Sequence, residues 1–538
     1  MPLDALVTGR IATFAGSRGF DWVEAVGIRD GRVAFTGSAI DLETRADPHT
    51  RRFELEPGEI AIPGLTDAHL HFFDAALATE QVDLTAAPTL EAGLAVLRDA
   101  DRVLPAGAWL LGGGWDQRRW GDWPTAAALD AALPGRPVAL WSFDHHAVWA
   151  STEALARAAI SSSTPDPAGG IIRRLPDSDP EGVLLENAVP LVMNVIPAPD
   201  EATIRRTIAV LGRQLLEYGV VGAHDPGNVS PDTNLVALDA YAALADAGEL
   251  PVRIHTGLRE ESLAAAIGRG IRSGDRLGDD PGGRAKVGWL KLFADGTLGS
   301  ETAALLEPRE GSDDRGVFRD GPEALRRLAA RAASAGIATQ VHAIGDAAVR
   351  AALDALEPTT GLVPLMPRLE HVQLVHPADR GRFGAHGIAA SVQPIHLRED
   401  AATARLDWGH RAETCGYTWR TLLDAGAVLA FGTDAPVEPI DPWPGIAMAV
   451  LRHDPSWGAD VPPYGPDEAL DLDTALRAAT VGPAVAAREP DRGRLTVGAR
   501  ADLVVLPAAP REPSERSAAF AEVRPRLVLL DGDAVVER

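Results

Sequence analysis

The sequence contains a single cysteine, Cys415, among 538 residues. One thiol forms no intramolecular disulfide, and it cannot supply a cysteine-based zinc cluster or an iron–sulfur site. This scarcity fits a reducing compartment. No run of about 18 uninterrupted apolar residues occurs, so no membrane-spanning helix is expected. Residues 1–6 (MPLDAL) also lack the start of a secretory signal peptide. We therefore expect a cytoplasmic protein.

The sequence also has fewer basic than acidic residues. Lys and Arg total 51 against 76 Asp and Glu, a formal net charge of −25. This balance argues against nucleic acid or an anionic membrane surface as the main partner. Hydrophobic residues make up 46% and charged residues 24%, which excludes a disordered or fibrous protein. The length predicts one large domain with an accessory, or two to three domains.

Both ends of the chain are rich in short strands. An Asp30-Gly31 pair lies between alternating apolar runs, and Asp531-Gly532 lies in the same setting near the other end. Asp-Gly between such runs is a strong signal of a β-hairpin. We predict that residues 1–60 and 490–538 pair into one small β-sandwich domain.

The centre repeats a different unit, in which a helix is followed by a glycine, a buried strand and a polar residue. Pro322 opens one such helix, Gly336 ends it, and the strand that follows ends at His342. This repeat is typical of a parallel sheet and predicts an α/β fold, a (β/α)₈ TIM-like barrel over residues 61–489. The strands are expected near 62–68, 219–224, 251–256, 287–292, 337–342, 367–371, 387–393 and 428–433.

Residues from about 80 to 200 do not follow this rhythm and are predicted to be an insertion in the barrel. Six of the twelve tryptophans lie there, which indicates a packed subdomain or a wall of the substrate pocket. The Gly112–Gly114 run lacks the Lys-Ser/Thr of a P-loop, so it does not predict nucleotide binding. Trp115 follows this run and is a candidate to close over the substrate.

Polar side chains end several of the predicted barrel strands. His69 and His71, two residues apart after the first strand, can reach one metal ion from the same side. An unpaired ammonium would be costly in the apolar segment that holds Lys291. Each polar residue alone could be structural, but their gathering at the ends of one barrel predicts a metal site. The other members are His342, His371 and Asp434.

These residues, with the segments around them, resemble the amidohydrolase superfamily. The likeness is to the amidohydrolase-3 family, which includes N-substituted formamide deformylases, and it covers nearly the whole chain. It is carried by PGLTDAHLH at 63–71, DHHAVW at 144–149, DPAGGI at 166–171, KLFADGTLGS at 291–300, QVHAIGD at 340–346, SVQPIH at 391–396, FGTDAPVEP at 431–439 and GRLTVGARADL at 493–503.

The resemblance implies a centre of one or two divalent metal ions per chain, with zinc favoured although manganese, iron or cobalt suit the same ligands. In the two-metal form, a carbamate formed from CO₂ on Lys291 bridges the ions, and in the one-metal form Lys291 is unmodified. Asp434 is implied as the general acid and base that serves a metal-activated hydroxide. The implied metal ligands are His69, His71, Lys291, His342, His371 and Asp434.

Further residues are expected on the substrate side of this centre. His146 matches a histidine of the family's insertion, and His145 stands where a glycine is common, which leaves open which of the two faces the substrate. His224 is expected to lie behind the metal ligands. For His396, a contact with substrate and a structural role are both open. The set of candidate substrate-binding residues is His146, Trp115, Asp295, His396 and His224.

The resulting prediction is a metal-dependent hydrolase that cleaves a non-peptide C–N bond in a small, formamide-like amide. Two alternatives remain open. The same site could serve deamination, ester or lactone hydrolysis, decarboxylation or isomerisation, or the chain could be a catalytically silent structural homologue. The expected partner is a small-molecule amide rather than nucleic acid or membrane, with a homodimer as an option.

Overall fold

The structure, a computed structural model, describes residues 2–143, 147–167, 170–186, 188–228, 234–280, 282–458, 460–507 and 523–538. Eight parallel strands lie side by side in chain order. The Ala68 N–H donates to the Phe431 carbonyl at 2.8 Å, which joins the first strand to the last and closes the barrel. All eight predicted strands are present. They are β1 (Leu65–Asp67), β2 (Val220–Asp225), β3 (Arg253–Arg259), β4 (Ala285–Phe293), β5 (Thr339–Ala343), β6 (Arg368–His371), β7 (Ala389–Val392) and β8 (Val428–Phe431).

Helices connect the barrel strands, and the one at Pro322–Ser334 shows how the sequence specifies them. Proline occupies its first turn, its apolar stripe is buried, and Gly336 follows it at a φ of 75°. None of the helices in the described ranges is long and apolar enough to cross a membrane. The remaining helices after β1 and among the barrel strands are Phe72–Ala78, Glu201–Glu217, Asn234–Asp246, Glu260–Gly268, Asp346–Leu356, Arg380–His386, Leu397–Trp408, Arg411–Cys415, Trp419–Asp424, Trp443–Leu451, Leu472–Ala478 and Val481–Ala486.

Strands from both termini form a second sheet. Its hairpins turn at Asp30-Gly31 and Asp531-Gly532, where all four residues have positive φ values, as a type I′ turn requires. The sheet branches at its strand Ala5–Ala12 and encloses one apolar core with residues from both chain ends. Together with the barrel, this sheet confirms the predicted fold class. Its other strands are Trp22–Arg29, Arg32–Gly37, Arg51–Glu54, Ile60–Pro63, Leu503–Leu506, Leu527–Leu530 and Asp533–Glu537, and the short helix Ala39–Glu43 packs beside them.

A bidentate ion pair ties this sheet to the barrel. Arg253, at the start of β3, donates to Asp502 from Nε at 3.1 Å and from Nη2 at 3.0 Å. Both side chains are buried, so each charge depends on the other for compensation. The barrel and the terminal sheet accordingly fall in one compact unit, residues 1–75 and 208–538.

Residues 76–207 form a second compact unit, and the predicted insertion at about 80–200 lies inside it. A core of leucine, valine and tryptophan side chains, with Trp115 and Trp149 fully buried, stabilises its six-stranded sheet. Its strands are Val82–Asp83, Leu110–Trp115, Val138–Ser142, Ala147–Ala150, Gly170–Arg174 and Pro180–Glu186. Its helices are Leu90–Asp101, Gln117–Trp120, Ala126–Ala132, Thr152–Arg157 and Pro190–Met193.

Candidate metal centre

The carboxyl ends of five barrel strands meet around one group of buried polar side chains. Parallel strands of a barrel present their carboxyl ends on one face, which is where active sites of this fold lie. The predicted ligands are therefore brought to the same face from separate parts of the chain. His69 and His71 follow β1, Lys291 lies on β4, His342 on β5, His371 ends β6, and Asp434 follows β8.

Asp434 lies at the centre of the group. Its Oδ1 is 3.3 Å from Nε2 of His69 and 3.5 Å from Nε2 of His71. The ligand atoms of His69, His371 and Asp434 all lie within 4.8 Å of one another, close enough to bind one ion. His371 and Asp434 have φ values of 72° and 65°, so the chain turns sharply at both strand ends to aim these side chains.

Hydrogen bonds fix the tautomers of three of the histidines. Nδ1 of His69 lies 2.6 Å from a Glu370 oxygen, and Nδ1 of His71 lies 3.1 Å from the Gly227 carbonyl. Nδ1 of His371 lies 2.8 Å from Oε1 of Gln393. Each acceptor requires a proton on Nδ1, which leaves the lone pair of Nε2 free to bind a metal.

His342 is held the other way round. Its Nε2 donates to the Gly296 carbonyl at 2.9 Å, so Nδ1 carries the free lone pair. The rings of His342 and His371 lie 4.4 Å apart. Burial lowers the pKa of His342 to about 3 and that of His371 well below its ordinary value, so both are neutral ligands at neutral pH.

Lys291 completes the group from β4. Its side chain is buried, and Nζ lies 3.4 Å from Nε2 of His69. Burial lowers the pKa of Lys291 to about 8, although Glu370 and Asp434 favour the charged form. Lys291 therefore loses its ammonium proton more readily than a lysine on a protein surface does.

Asp67 braces the ends of β1 and β8 beneath the site. It accepts hydrogen bonds from the His69 N–H at 3.0 Å and from Oγ1 of Thr433 at 2.6 Å. Burial raises the pKa of Asp67 to about 6 despite these donors. Asp67 therefore links Thr433, which precedes Asp434, to His69, which lies two residues before His71.

A chain of polar contacts continues into the barrel interior. The second oxygen of Glu370 lies 2.7 Å from Nε of Arg368, and Nη1 of Arg368 lies 3.0 Å from Nδ1 of His224. Burial opposes the charge of Glu370, but Arg368 and His69 outweigh it and lower its pKa to about 2. His224 is thus part of a buried network behind the metal ligands.

Sequence reasoning assigned no role to Glu370, Asp67 or Gln393. Each lies within three residues of a residue that the motifs singled out, but which partner it contacts depends on the fold. The one available signal was at Glu370. It alternates with Arg368 on β6, and two charged residues on one face of a buried strand indicate a polar interior.

The candidate substrate residues fall into different settings. Nε2 of His396 lies 3.5 Å from Oδ2 of Asp434, and its ring stacks on His371. Asp295 accepts backbone N–H groups of Ala304, Ile344 and Gly345 at 2.8–3.0 Å, contacts that brace loops rather than face a ligand.

Two further candidates lie elsewhere. Trp115 is fully buried in the core of residues 76–207, where its indole N–H donates to the Leu140 carbonyl at 2.7 Å, so it presents no face to a substrate. His146, with its neighbour His145, lies outside the described residues.

The donor set fits a divalent metal. Each of four imidazoles uses one ring nitrogen in these hydrogen bonds and has the other for a metal, Asp434 presents a carboxylate, and Lys291 lies among them. Burial raises the pKa of Asp434, but the charge of His69 and the hydrogen bonds with His69 and His71 outweigh it and hold the pKa well below the ordinary value. Imidazole and carboxylate ligands suit zinc and its neighbours in the first transition row.

Comparison with known proteins gives a consistent picture. YtcJ of Bacillus subtilis (strain 168) is 32% identical over 500 residues, 91% of this chain and 92% of that protein. The N-substituted formamide deformylase of Arthrobacter pascens is 29% identical over 504 residues, 90% of each chain. The crystal structure of an uncharacterized metal-dependent hydrolase from Pyrococcus horikoshii OT3 matches with a TM-score of 0.79 at 26% identity, over 95% of this chain and 98% of that one. A family model described as "Amidohydrolase family" (Amidohydro_3) matches residues 57–536, and the chain belongs to this family.

Proposed function

We propose that this protein is a metal-dependent hydrolase that cleaves a non-peptide C–N bond in a small amide. The observation that carries the proposal is the group of His69, His371 and Asp434, whose ligand atoms lie within 4.8 Å of one another, with His71, His342 and Lys291 beside it. Water and an amide carbonyl are the reactants that such a metal site activates.

His69 and His71, with Asp434, would hold one ion, and His342 and His371 a second. Lys291, 3.4 Å from His69, would bridge the two once CO₂ has added to its neutral amine with loss of a proton. A bound ion supplies Lewis acidity, which polarises a carbonyl oxygen and lowers the pKa of water toward neutrality. We favour zinc because imidazole and carboxylate oxygen are its usual ligands.

Asp434 is the residue of this chain that moves the proton. Its Oδ1 faces His69 and His71, whereas its Oδ2 points toward His396 at 3.5 Å. A carboxylate held ionised by its neighbours accepts a proton from the attacking water. The same proton then passes to the nitrogen that leaves, so that the acid and the amine are released and Asp434 is ionised again.

His396 is the candidate to orient the substrate. Its Nε2 is buried and makes no hydrogen bond to the described residues, although a buried imidazole nitrogen normally has a partner. It lies beside the carboxylate oxygen that would carry the proton. A substrate carbonyl or amide group placed there would satisfy it.

We propose a formamide-like group as the substrate. The support is the 29% identity with the deformylase from Arthrobacter pascens over 90% of both chains. Fold and family do not determine a substrate by themselves, so the chemistry has to be tested directly. We further propose that the protein acts in the cytoplasm on a small molecule.

The test is metal content and turnover on protein purified without added metal or chelator. Elemental mass spectrometry should find one or two divalent ions per chain, and N-benzylformamide should be hydrolysed to benzylamine and formate. Chelation should abolish turnover, and added zinc should restore it. Hydrolysis of esters or lactones with no activity on any amide would assign the site to a different reaction. Absence of bound metal, with no rescue by zinc or manganese, would contradict the proposal.

A further inference from the structure

Arg259 is a buried cation whose guanidinium has no acidic partner among the described residues. It ends β3, and only 7% of its surface is exposed. Two other buried arginines of the barrel have an acidic partner, Arg253 in Asp502 at 3.0 Å and Arg368 in Glu370 at 2.7 Å. Arg452 instead donates to backbone carbonyls. In the described part of the chain, no carboxylate lies within ion-pair distance of Arg259. An anion bound here would therefore gain a charge-assisted hydrogen bond from Arg259 without displacing an ion pair to a described residue.

The strand register places Arg259 on the active-site side of the barrel. Arg259 on β3 pairs with Lys291 on β4, and laterally paired residues of parallel strands point to the same face. Both side chains lie against the ring of Phe293. The Arg259 guanidinium carbon is 4.6 Å from the ring centroid, and Nζ of Lys291 is 5.2 Å from it. The ring of Phe293 lies 5.4 Å from that of His342.

A second arginine lies against the same ring. The guanidinium carbon of Arg319 is 4.3 Å from the Phe293 centroid. Backbone hydrogen bonds hold its segment on the end of β4, from the Arg319 N–H to the Ala294 carbonyl at 2.9 Å and from the Asp320 N–H to the Phe293 carbonyl at 3.1 Å. Arg319 also makes no ion pair with a described residue. Its position is therefore set by the backbone and not by an acidic neighbour.

Charges of both signs surround this pair. Burial lowers the pKa of Arg259, and the nearby charge of Arg319 acts in the same direction. The carboxylates of Glu261, Asp74 and Asp320 attract Arg259 only from beyond ion-pair distance, and Asp320 also accepts the Phe293 N–H at 3.3 Å. Two guanidinium groups on one aromatic ring, neither in an ion pair with a described residue, suit a planar anion, because a guanidinium fork matches a carboxylate.

We infer that the substrate carries a carboxylate, which Arg259 and Arg319 bind beside the metal centre while Phe293 packs against its apolar part. The inference rests on the proposed function and narrows its substrate to an acidic amide of the N-acyl amino acid type. A neutral amide of the same size would leave Arg259 without an ion-pair partner.

The experiment compares two probes that differ only in the carboxylate, N-formylphenylalanine and N-formylphenethylamine, on the zinc-loaded protein. We expect kcat/KM for the acid to exceed that for the neutral amide by about 10- to 100-fold, the range of a charge-assisted hydrogen bond. Arg259→Gln and Arg319→Gln should each reduce this preference, because kcat/KM for the acid should fall by more than kcat/KM for the neutral amide. Arg326→Gln, a change to an exposed arginine on the helix Pro322–Ser334, is the control and should change neither value.

Equal rates on the two probes, with equal Kd values by calorimetry, would overturn the inference and leave the proposed function standing. Loss of bound zinc in Arg259→Gln, with both rates falling together, would also overturn it, because Arg259 would then support the metal centre. If neither probe is hydrolysed, the proposed function fails on these substrates, and the calorimetric Kd still decides. Tighter binding of the acid that disappears in Arg259→Gln would support the site, and equal binding would refute it.

Discussion

Glu370 and His69 share a buried hydrogen bond of 2.6 Å although 301 residues separate them in the chain. The bond leaves Nε2 of His69 free for a metal, and the Arg368 guanidinium balances the charge of Glu370 from its other side at 2.7 Å. An acceptor behind a metal-binding histidine orients the ring and raises its basicity. The barrel interior thus contributes directly to the candidate centre.

Replacing Glu370 should damage both stability and metal binding. Glu370→Gln leaves Arg368 buried without a counter-charge, a loss of about 3–5 kcal/mol in the free energy of unfolding. It should also weaken metal affinity by about 10- to 100-fold. Denaturant titration and metal analysis measure the two effects. Glu181→Gln is the control. It removes an ion pair with Arg173 within residues 76–207 and should lower the free energy of unfolding by less than about 1 kcal/mol. Metal affinity equal to wild type would contradict the assigned role.

Asp434→Asn should leave the fold intact and abolish most of the turnover. Asparagine keeps the shape of the side chain but cannot take the proton from water, so kcat should fall by about two to four orders of magnitude. Metal should be retained or bound somewhat more weakly. Circular dichroism, metal analysis and kcat are the measurements, with Asp424→Asn at an exposed position as the control. Near-normal turnover in Asp434→Asn would refute the mechanism.

Asp295 should matter for stability. Asp295→Ala leaves three buried N–H groups, those of Ala304, Ile344 and Gly345, without their acceptor. Each such donor costs about 1–3 kcal/mol, so the free energy of unfolding should fall by at least about 3 kcal/mol. The exposed change Asp313→Ala is the control. A large rise in KM with unchanged stability would instead support the original prediction that Asp295 binds substrate.

The ion pair between Arg253 and Asp502 should make stability depend on pH. Burial opposes ionisation of Asp502, but Arg253 outweighs it and lowers its pKa in the folded state. The ion pair contributes its full stability above the pKa of Asp502 in the unfolded state, about 3.9. This contribution is lost as the pH falls through the lower pKa of the folded state. We expect the free energy of unfolding to decrease on acidification below about pH 4. Asp502→Asn should lose stability at neutral pH and show a smaller decrease in acid. An identical acid profile for the variant would contradict this account.

Local patterns in the sequence determined the elements of this fold. Apolar runs that end in a polar residue marked all eight barrel strands, and Asp-Gly pairs marked both terminal hairpins. These features depend on residues close together in the chain, where backbone preference and burial act directly. The same patterns placed His69, His342 and Asp434 at strand ends.

Tertiary structure decided which polar residues share a site. His224 and His255 also lie on barrel strands, but His255 pairs with Lys286 near the start of β4, whereas Lys291 lies near its end. Strand register therefore puts these two histidines deeper in the barrel than the metal ligands. Register depends on contacts between distant segments and on how side chains pack in the closed barrel, and no short stretch of sequence encodes it. For the same reason, the bond between His69 and Glu370 exists only once the barrel has formed.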